Sequence, residues 1–243
     1  TYDDLAIQRS SYDKCVEYIE SEMLLAAKDL PLTRAINQVA RPTRGAALAA
    51  RARALLYSAS PINNPRPGDA DKFSDMVDYD GNCLMSQEYN EYKWAKAAAA
   101  ARDVMELPGE NSGHRYELYH KKATNIAEPG YPATIAPYQD DDFSTKTWDE
   151  GGYSDIDPYE SYRAVFNGAL AMYQNPELIF SRGRNQGGNS LVEMVKLQMP
   201  RTLGNGSNAY GMTLKMCDAY YMYDGSEFDR QTFLDTCRVG NRF

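Results

Sequence analysis

The chain has 243 residues, a net charge of -8, and 43% hydrophobic residues. This is an ordinary globular composition, and the length suits one large domain or two small ones. The acidic balance argues against nucleic-acid binding, which needs a basic surface, and no apolar run approaches the length of a membrane-spanning helix.

The first half of the chain predicts three helices. Ser10 is expected to begin a helix of about twenty residues that ends at Pro31. Thr43 has a side chain that can cap a helix, and the alanine-rich run behind it ends at Pro61. A third helix is expected at 89–107. The first two helices should form an antiparallel pair.

Each of these helices carries apolar residues at helical spacing. In the first they are Tyr12, Val16, Ile19, Met23, Ala26 and Leu30. In the second they are Leu48, Ala52, Leu55 and Ala59, and in the third they are Trp94, Ala97, Ala98, Ala101 and Met105. Because its other faces are also rich in alanine, the second helix is predicted to lie inside a stacked helical array. We predict that Trp94 is a core residue, with Lys93 and Lys96 pointing elsewhere.

The second half of the chain has less regular periodicity. Residues 128–157 combine prolines and glycines with aromatic residues, a profile that predicts an ordered irregular surface rather than a disordered linker. A short helix is predicted at 159–173, a strand at 178–180, and a last helical piece at 213–222.

Four segments, in this order, resemble the SusD/RagB family of outer-membrane nutrient-binding lipoproteins. Residues 41–57, RPTRGAALAARARALLY, resemble the helix that opens the family's tetratricopeptide-like pair, and 93–99, KWAKAAA, resemble its next helix. NPELIFS at 175–181 resembles a third family segment, and 215–225, which contains KMCDAY and ends in Asp-Gly, resembles a fourth. The resemblance therefore extends over most of the chain.

The resemblance implies an all-α fold of tetratricopeptide-like helical pairs with long irregular loops and little strand. We expect one incomplete SusD-like domain over 1–243, with a helical-repeat core at 10–127 and a loop-rich region with short helices at 128–243. Family members are considerably longer, so we also expect this chain to be a fragment lacking both ends, with the family's lipid anchor outside it.

The function that the resemblance implies is binding without catalysis. Family members capture oligosaccharides, and some capture peptides, at the extracellular face of the outer membrane beside a SusC-like TonB-dependent transporter. A peptide- or protein-binding helical-repeat module is the alternative, and it would use its concave helical face. A glycoside hydrolase is a further alternative, in which two carboxyl groups flank the scissile bond.

Sugar binding needs flat aromatic faces and planar hydrogen-bonding groups. Trp148 offers the largest ring in the irregular region, and ordinary loop packing is the other explanation for such a residue. The candidate ligand-binding residues are Trp148, Tyr138, Tyr153, Tyr159, Asp140, Arg182, Arg184 and Asn185.

No cofactor is expected. The run Asp140, Asp141 and Asp142 could bind calcium, which prefers carboxylate oxygens, but a solvated acidic loop explains it better. We find neither a phosphate-binding loop nor a nucleophile elbow in the sequence. Together with the resemblance, which implies binding without catalysis, this predicts that the protein is not an enzyme.

Overall fold

The computed structural model describes residues 7–69, 73–109, 113–123, 145–181, 196–202, 206–221 and 227–231. The α-helices whose two ends the structure describes are α1 (Tyr12–Asp29), α2 (Arg44–Ala59), α3 (Tyr92–Met105), α4 (Pro158–Phe166) and α5 (Leu214–Cys217). Two 3-10 helices lie at Ile36–Gln38 and Trp148–Glu150. Over these described ranges there is no strand, only isolated antiparallel bridges, which confirms the all-α prediction. The strand predicted at 178–180 was wrong: these residues are irregular.

Helix boundaries follow from local capping. Thr43 caps α2 as predicted, its hydroxyl accepting from the amide of Ala46 at 3.3 Å. The first helix is capped by Ser11 rather than Ser10, and the Ser11 hydroxyl accepts from the amide of Lys14. Both α1 and α2 end just before a proline, because the residue before proline is disfavoured in the helical conformation.

The chain divides into two compact units. The first comprises 1–120 and 159–183, and the second comprises 121–158 and 184–243. The helices α1, α2 and α3 all belong to the first unit. The single SusD-like domain remains a prediction.

Helix α2 lies between α1 and α3 and runs antiparallel to both. Arg51 of α2 pairs with Glu20 of α1, while Arg44 donates to the carbonyl of Ala27 at 2.9 Å. Residue numbers thus rise along α1 as they fall along α2. Arg51 also pairs with Asp103 of α3 at 2.6 Å. The antiparallel pair predicted from the sequence is confirmed, with α3 packed as a third helix against it.

The core of this unit consists of two clusters of buried residues. The first cluster is Val16, Leu55, Ala59, Ala97 and Ala100. The second cluster is Ala27, Ala47, Leu48, Val104 and Leu107. The predicted stripe of α2 is confirmed, because Leu48, Leu55 and Ala59 are buried and Ala52 packs against both clusters. The opposite side of α2 is exposed at Ala50, Leu56 and Tyr57, so the helix is not enclosed on every face.

In α1 the predicted stripe is mostly confirmed. Tyr12 packs against the first cluster, and Met23, Ala26 and Leu30 pack against the second. Ile19 is an error, since its side chain is exposed. Its neighbour Glu20 occupies the inward position and binds the cations of the other two helices.

The predicted inner face of α3 was wrong except at Ala97, which is buried. Trp94 is 42% exposed, and Met105 is also exposed, whereas the buried residues of the helix are Ala97, Ala100 and Val104. Trp94 is therefore not a core residue.

Two lysines of α3 help to explain why the side with Trp94 does not face the core. Lys93 binds Asp13 of α1, and Lys96 binds Glu20, each at 2.7 Å. These ion pairs turn the lysine side of α3 towards α1, which directs the side that carries Trp94 to solvent. The prediction that the lysines point elsewhere was also wrong.

The segment NPELIFS holds the first unit together. The side chain of Asn175 accepts from the amide of Glu177 at 3.1 Å, and the carboxylate of Glu177 accepts from the amide of Tyr119 at 2.9 Å. Ile179 packs against the second cluster. This part of the family-like pattern thus has a structural role: it fastens the chain after α4 to the segment around Tyr119.

Gly45 allows the ring of Tyr116 to approach α2. A Cβ built on Gly45 would collide with the hydroxyl and ring of Tyr116, which packs against the second cluster. Close packing against Tyr116 therefore explains the glycine at this position.

We expect Gly45→Ala to lower the free energy of unfolding by about 1–3 kcal/mol, because the added methyl group overpacks the contact with Tyr116. Gly211→Ala is the matched control, since nothing lies within 4 Å of a Cβ built there. Urea unfolding of the two variants checks this. Adding Tyr116→Phe to Gly45→Ala should recover part of the loss by removing the hydroxyl, and equal stability of the two glycine variants would contradict the close contact.

Candidate ligand-binding surfaces

Trp148 lies on a tight turn in the second unit. The carboxylate of Glu150 accepts from both the amide and the hydroxyl of Thr147, each at 2.9 Å, and so closes the 3-10 helix on itself. Gly151 adopts a left-handed conformation with a φ of 86°, which glycine tolerates without strain. The amide of Gly152 then donates to the carbonyl of Thr147 at 2.7 Å. We call residues 147–155 the Trp148 turn.

Asp155 anchors this turn. Its carboxylate accepts from the amide of Trp148 at 2.7 Å, and its backbone carbonyl accepts from the amide of Ala123 at 2.8 Å. The amide of Asp157 donates in turn to the carbonyl of Lys121 at 2.8 Å. The turn is thus fixed internally and tied to a neighbouring segment, so the backbone beneath the indole is held in one geometry.

The side chains of Trp148 and Tyr153 are both half-buried on this turn. Each residue is therefore partly packed and partly open to solvent. That is the geometry in which an aromatic ring can bind a ligand without first being ordered. The structure brings these two candidates together in one unit.

Of the other candidates, the structure describes only Tyr159. Tyr159 belongs to the first unit, where it begins the exposed side of α4. Tyr138, Asp140, Arg182, Arg184 and Asn185 lie outside the described residues.

Glu150 is suited to holding the turn and not to donating a proton. Hydrogen bonds from the backbone and then the side chain of Thr147 lower the pKa of its carboxyl group, since they stabilise the charged form. A glycosidase acid needs the opposite shift, because it must stay protonated near neutral pH. Glu150 is consequently a poor candidate for the acid of a hydrolase.

Helix α4 presents a row of exposed aromatic residues in the first unit. Tyr159, Tyr162 and Phe166 are 51%, 63% and 72% exposed and lie on one side of the helix. Ser161 and Ala164 are buried on the opposite side. The ring centroids of Tyr162 and Phe166 are 5.0 Å apart, with their planes inclined by 50°. We call these three residues the α4 aromatic stripe.

Sequence reasoning included Tyr159 but missed the other two members of the stripe. The spacing of 159, 162 and 166 within a predicted helix was the available signal, because residues three and seven apart share a helical face. Tyr159 was instead grouped with Trp148 by closeness in sequence.

A cleft of about 200 Å³ opens between α1 and α3. Its walls carry charged residues, namely Asp13, Glu17, Glu20, Lys93 and Lys96. Both lysines are engaged in ion pairs across the cleft. A ligand would have to displace interhelical contacts to use them, so we assign these charges to helix packing.

No metal site is found in the part of the chain that the structure describes: nowhere there do three His, Cys, Asp or Glu side chains converge. The Asp140–Asp142 run, which could bind calcium, lies outside those residues. Among the described helices, none has the length and apolar character needed to cross a bilayer.

No family model and no curated protein matches the chain. Among solved structures, the chain is similar to a protein named BT4246, with 35% sequence identity and a TM-score of 0.37. The matched region covers 47% of this chain and 19% of BT4246. The likeness is therefore to about a fifth of that protein.

Proposed function

We propose that this chain binds oligosaccharides at the cell surface and delivers them for import. The observation that carries the proposal is the Trp148 turn, which holds a large, half-buried aromatic ring on a backbone fixed by Glu150 and Asp155. A preorganised ring loses little conformational freedom on binding, and its face suits the apolar face of a sugar. Tyr153, on the same turn, adds a second ring with a polar tip.

The uptake partner is proposed from the resemblance of the four sequence segments to the SusD/RagB family. On this proposal the protein acts at the extracellular face of the outer membrane, beside a SusC-like TonB-dependent transporter. It binds its glycan and leaves it uncleaved, consistent with a Glu150 carboxylate that is engaged in capping.

We expect Trp148→Ala to weaken glycan binding by about 2 kcal/mol, roughly thirtyfold, because a central aromatic contact dominates small interfaces. Trp94→Ala is the matched control, since Trp94 is a partly exposed tryptophan in the other unit. Calorimetric titration with neutral hexasaccharides, such as xylohexaose, mannohexaose, cellohexaose and maltohexaose, measures the effect, and the sugars should be recovered intact.

The opposite pattern would count against Trp148 as the binding residue. If Trp148→Ala kept full affinity but unfolded more easily, its ring would be a packing residue. The search for the site would then move to the polar candidates Arg182, Arg184 and Asn185.

Co-purification tests the proposed partner. Cross-linking in native membranes, followed by affinity purification of this protein, is expected to recover a TonB-dependent transporter in stoichiometric amount. A chemically unrelated tagged surface protein from the same membranes serves as the control. Recovery of the protein without any transporter, over repeated preparations, would contradict the proposal that it delivers its glycan for import.

The second candidate function is a helical module that binds a peptide or protein. The exposed side of α3 favours it, because Trp94 and Met105 present large apolar groups there without being part of the core. The same pair of tryptophan variants separates the two functions. Loss of a bound protein in Trp94→Ala, with unchanged glycan affinity in Trp148→Ala, would favour the interaction module.

A further inference from the structure

The α4 aromatic stripe is not explained by folding. Its three rings are more than half exposed, while α4 makes its core contacts through Ser161 and Ala164 on the other side. Single exposed aromatic residues are ordinary, but several in phase on one helix form a contiguous apolar patch of the kind that marks a binding surface.

The chemistry beside the stripe is neutral and polar. Glu160 and Arg163 lie next to the aromatic row and form an ion pair at 2.9 Å, so their charges cancel. Two of the three rings are tyrosines, which combine an apolar face with a hydroxyl that can donate and accept hydrogen bonds. Because this pair leaves no net charge of its own beside the row, an uncharged molecule with apolar faces and many hydroxyl groups is complementary to the stripe.

The length of the stripe also points to a chain molecule. From Tyr159 to Phe166 the helix rises about 10 Å, which exceeds the width of one sugar ring. The planes of Tyr162 and Phe166 are inclined by 50°. One flat ring cannot stack on both at once, but successive rings of an oligosaccharide can each stack on one of them.

We propose that the α4 aromatic stripe is a second sugar-binding surface, which takes successive rings of a neutral oligosaccharide. This inference rests on the proposed function and adds to the Trp148 turn a surface on the other unit. It predicts that a hexasaccharide binds more tightly than its own monosaccharide, because only the longer molecule spans the stripe.

The test compares Tyr162→Ala and Phe166→Ala with Tyr18→Ala, an exposed tyrosine on α1. The two stripe variants are expected to bind the best of the four hexasaccharides about tenfold more weakly, with unchanged thermal stability. Tyr18→Ala should bind like the unaltered protein. Tyr162→Phe, which keeps the ring, should retain most of the affinity.

The outcomes separate this inference from the proposed function. Hexasaccharide binding that is weakened by Trp148→Ala but unchanged by both stripe variants would overturn the second surface and leave the proposed function standing. Absence of binding to every hexasaccharide, with the protein folded, would overturn both. Loss of a protein partner from the stripe variants, with sugar affinity intact, would make the stripe a protein contact and also overturn the inference.

Discussion

Leu55→Ala is expected to lower the free energy of unfolding of the first unit by about 2–5 kcal/mol, the range for large-to-small changes in a core. Leu55 is 4% exposed and lies in the first cluster with Val16. The other members of that cluster are alanines of α2 and α3. The alanines have no rotamers with which to fill the vacated space, so its filling depends on Val16 and on Tyr12, which packs against the cluster.

Leu56→Ala is the matched control for this experiment. Leu56 follows Leu55 on the same helix, but its side chain is exposed, and surface substitutions usually change stability by no more than about 0.5 kcal/mol. Urea unfolding monitored by circular dichroism measures both variants. Equal losses in the two would show that the buried side of α2 has been misassigned.

The contrast between α2 and α3 shows what the sequence could predict. In α2, leucines alternate with alanines at helical spacing, so the pattern has a phase, and Leu48, Leu55 and Ala59 are buried as predicted. In α3 five consecutive alanines at 97–101 give almost no phase. Trp94 then set the predicted face because it is the largest apolar residue. The buried face instead carries Ala97, Ala100 and Val104, and it lies beside Lys93 and Lys96, whose partners on α1 are distant in sequence.

The candidate site was likewise predicted correctly in one part and wrongly in another. Local chemistry predicted an irregular region around Trp148, because prolines and glycines are frequent and regular periodicity is absent there. The grouping of Tyr159 with that turn rested on sequence distance alone, and the structure places the two in different units. Which unit a residue joins depends on long-range packing, which spacing within a loop does not encode.

Glu20 connects the three helices of the first unit through charge. Its side chain is 13% exposed and accepts from Arg51 of α2 at 3.2 Å and from Lys96 of α3 at 2.7 Å. Arg51 is also largely buried, and its Nε has no hydrogen-bond partner. If the charge of Glu20 were removed, Arg51 would keep Asp103 as an anionic partner. Lys96 would keep no anionic partner among the residues that the structure describes.

The pKa of Glu20 gives this contact a pH dependence. Burial acts to raise the pKa, but hydrogen bonds from Lys96 and Arg51, together with their charges, outweigh it and lower the pKa below 4.5. The folded chain therefore holds the Glu20 proton less tightly than the unfolded chain does. Its contribution to stability is complete above the unfolded pKa, near 4.5, and is lost as the pH falls through the lower folded pKa.

We expect Glu20→Gln to cost about 2–3 kcal/mol at pH 7, less than for a wholly buried pair because Lys96 is partly exposed. Below the folded pKa, where Glu20 itself is protonated, the variant and the unaltered protein should converge in stability. Glu17→Gln is the matched control: it changes the same residue type one turn earlier on α1, at an exposed position.

Denaturant unfolding from pH 7 to pH 3 distinguishes the effect of the Glu20 charge on stability from the effect of its packing. If Glu20→Gln remained destabilised by the same amount at every pH, the loss would come from altered packing or hydrogen bonding and not from the ion pairs. If it cost no more than Glu17→Gln at pH 7, the helices would be held by the alanine-rich core alone. Convergence at low pH, with little effect of Glu17→Gln throughout, would instead show that the charge of Glu20 stabilises the three helices through its ion pairs with Arg51 and Lys96.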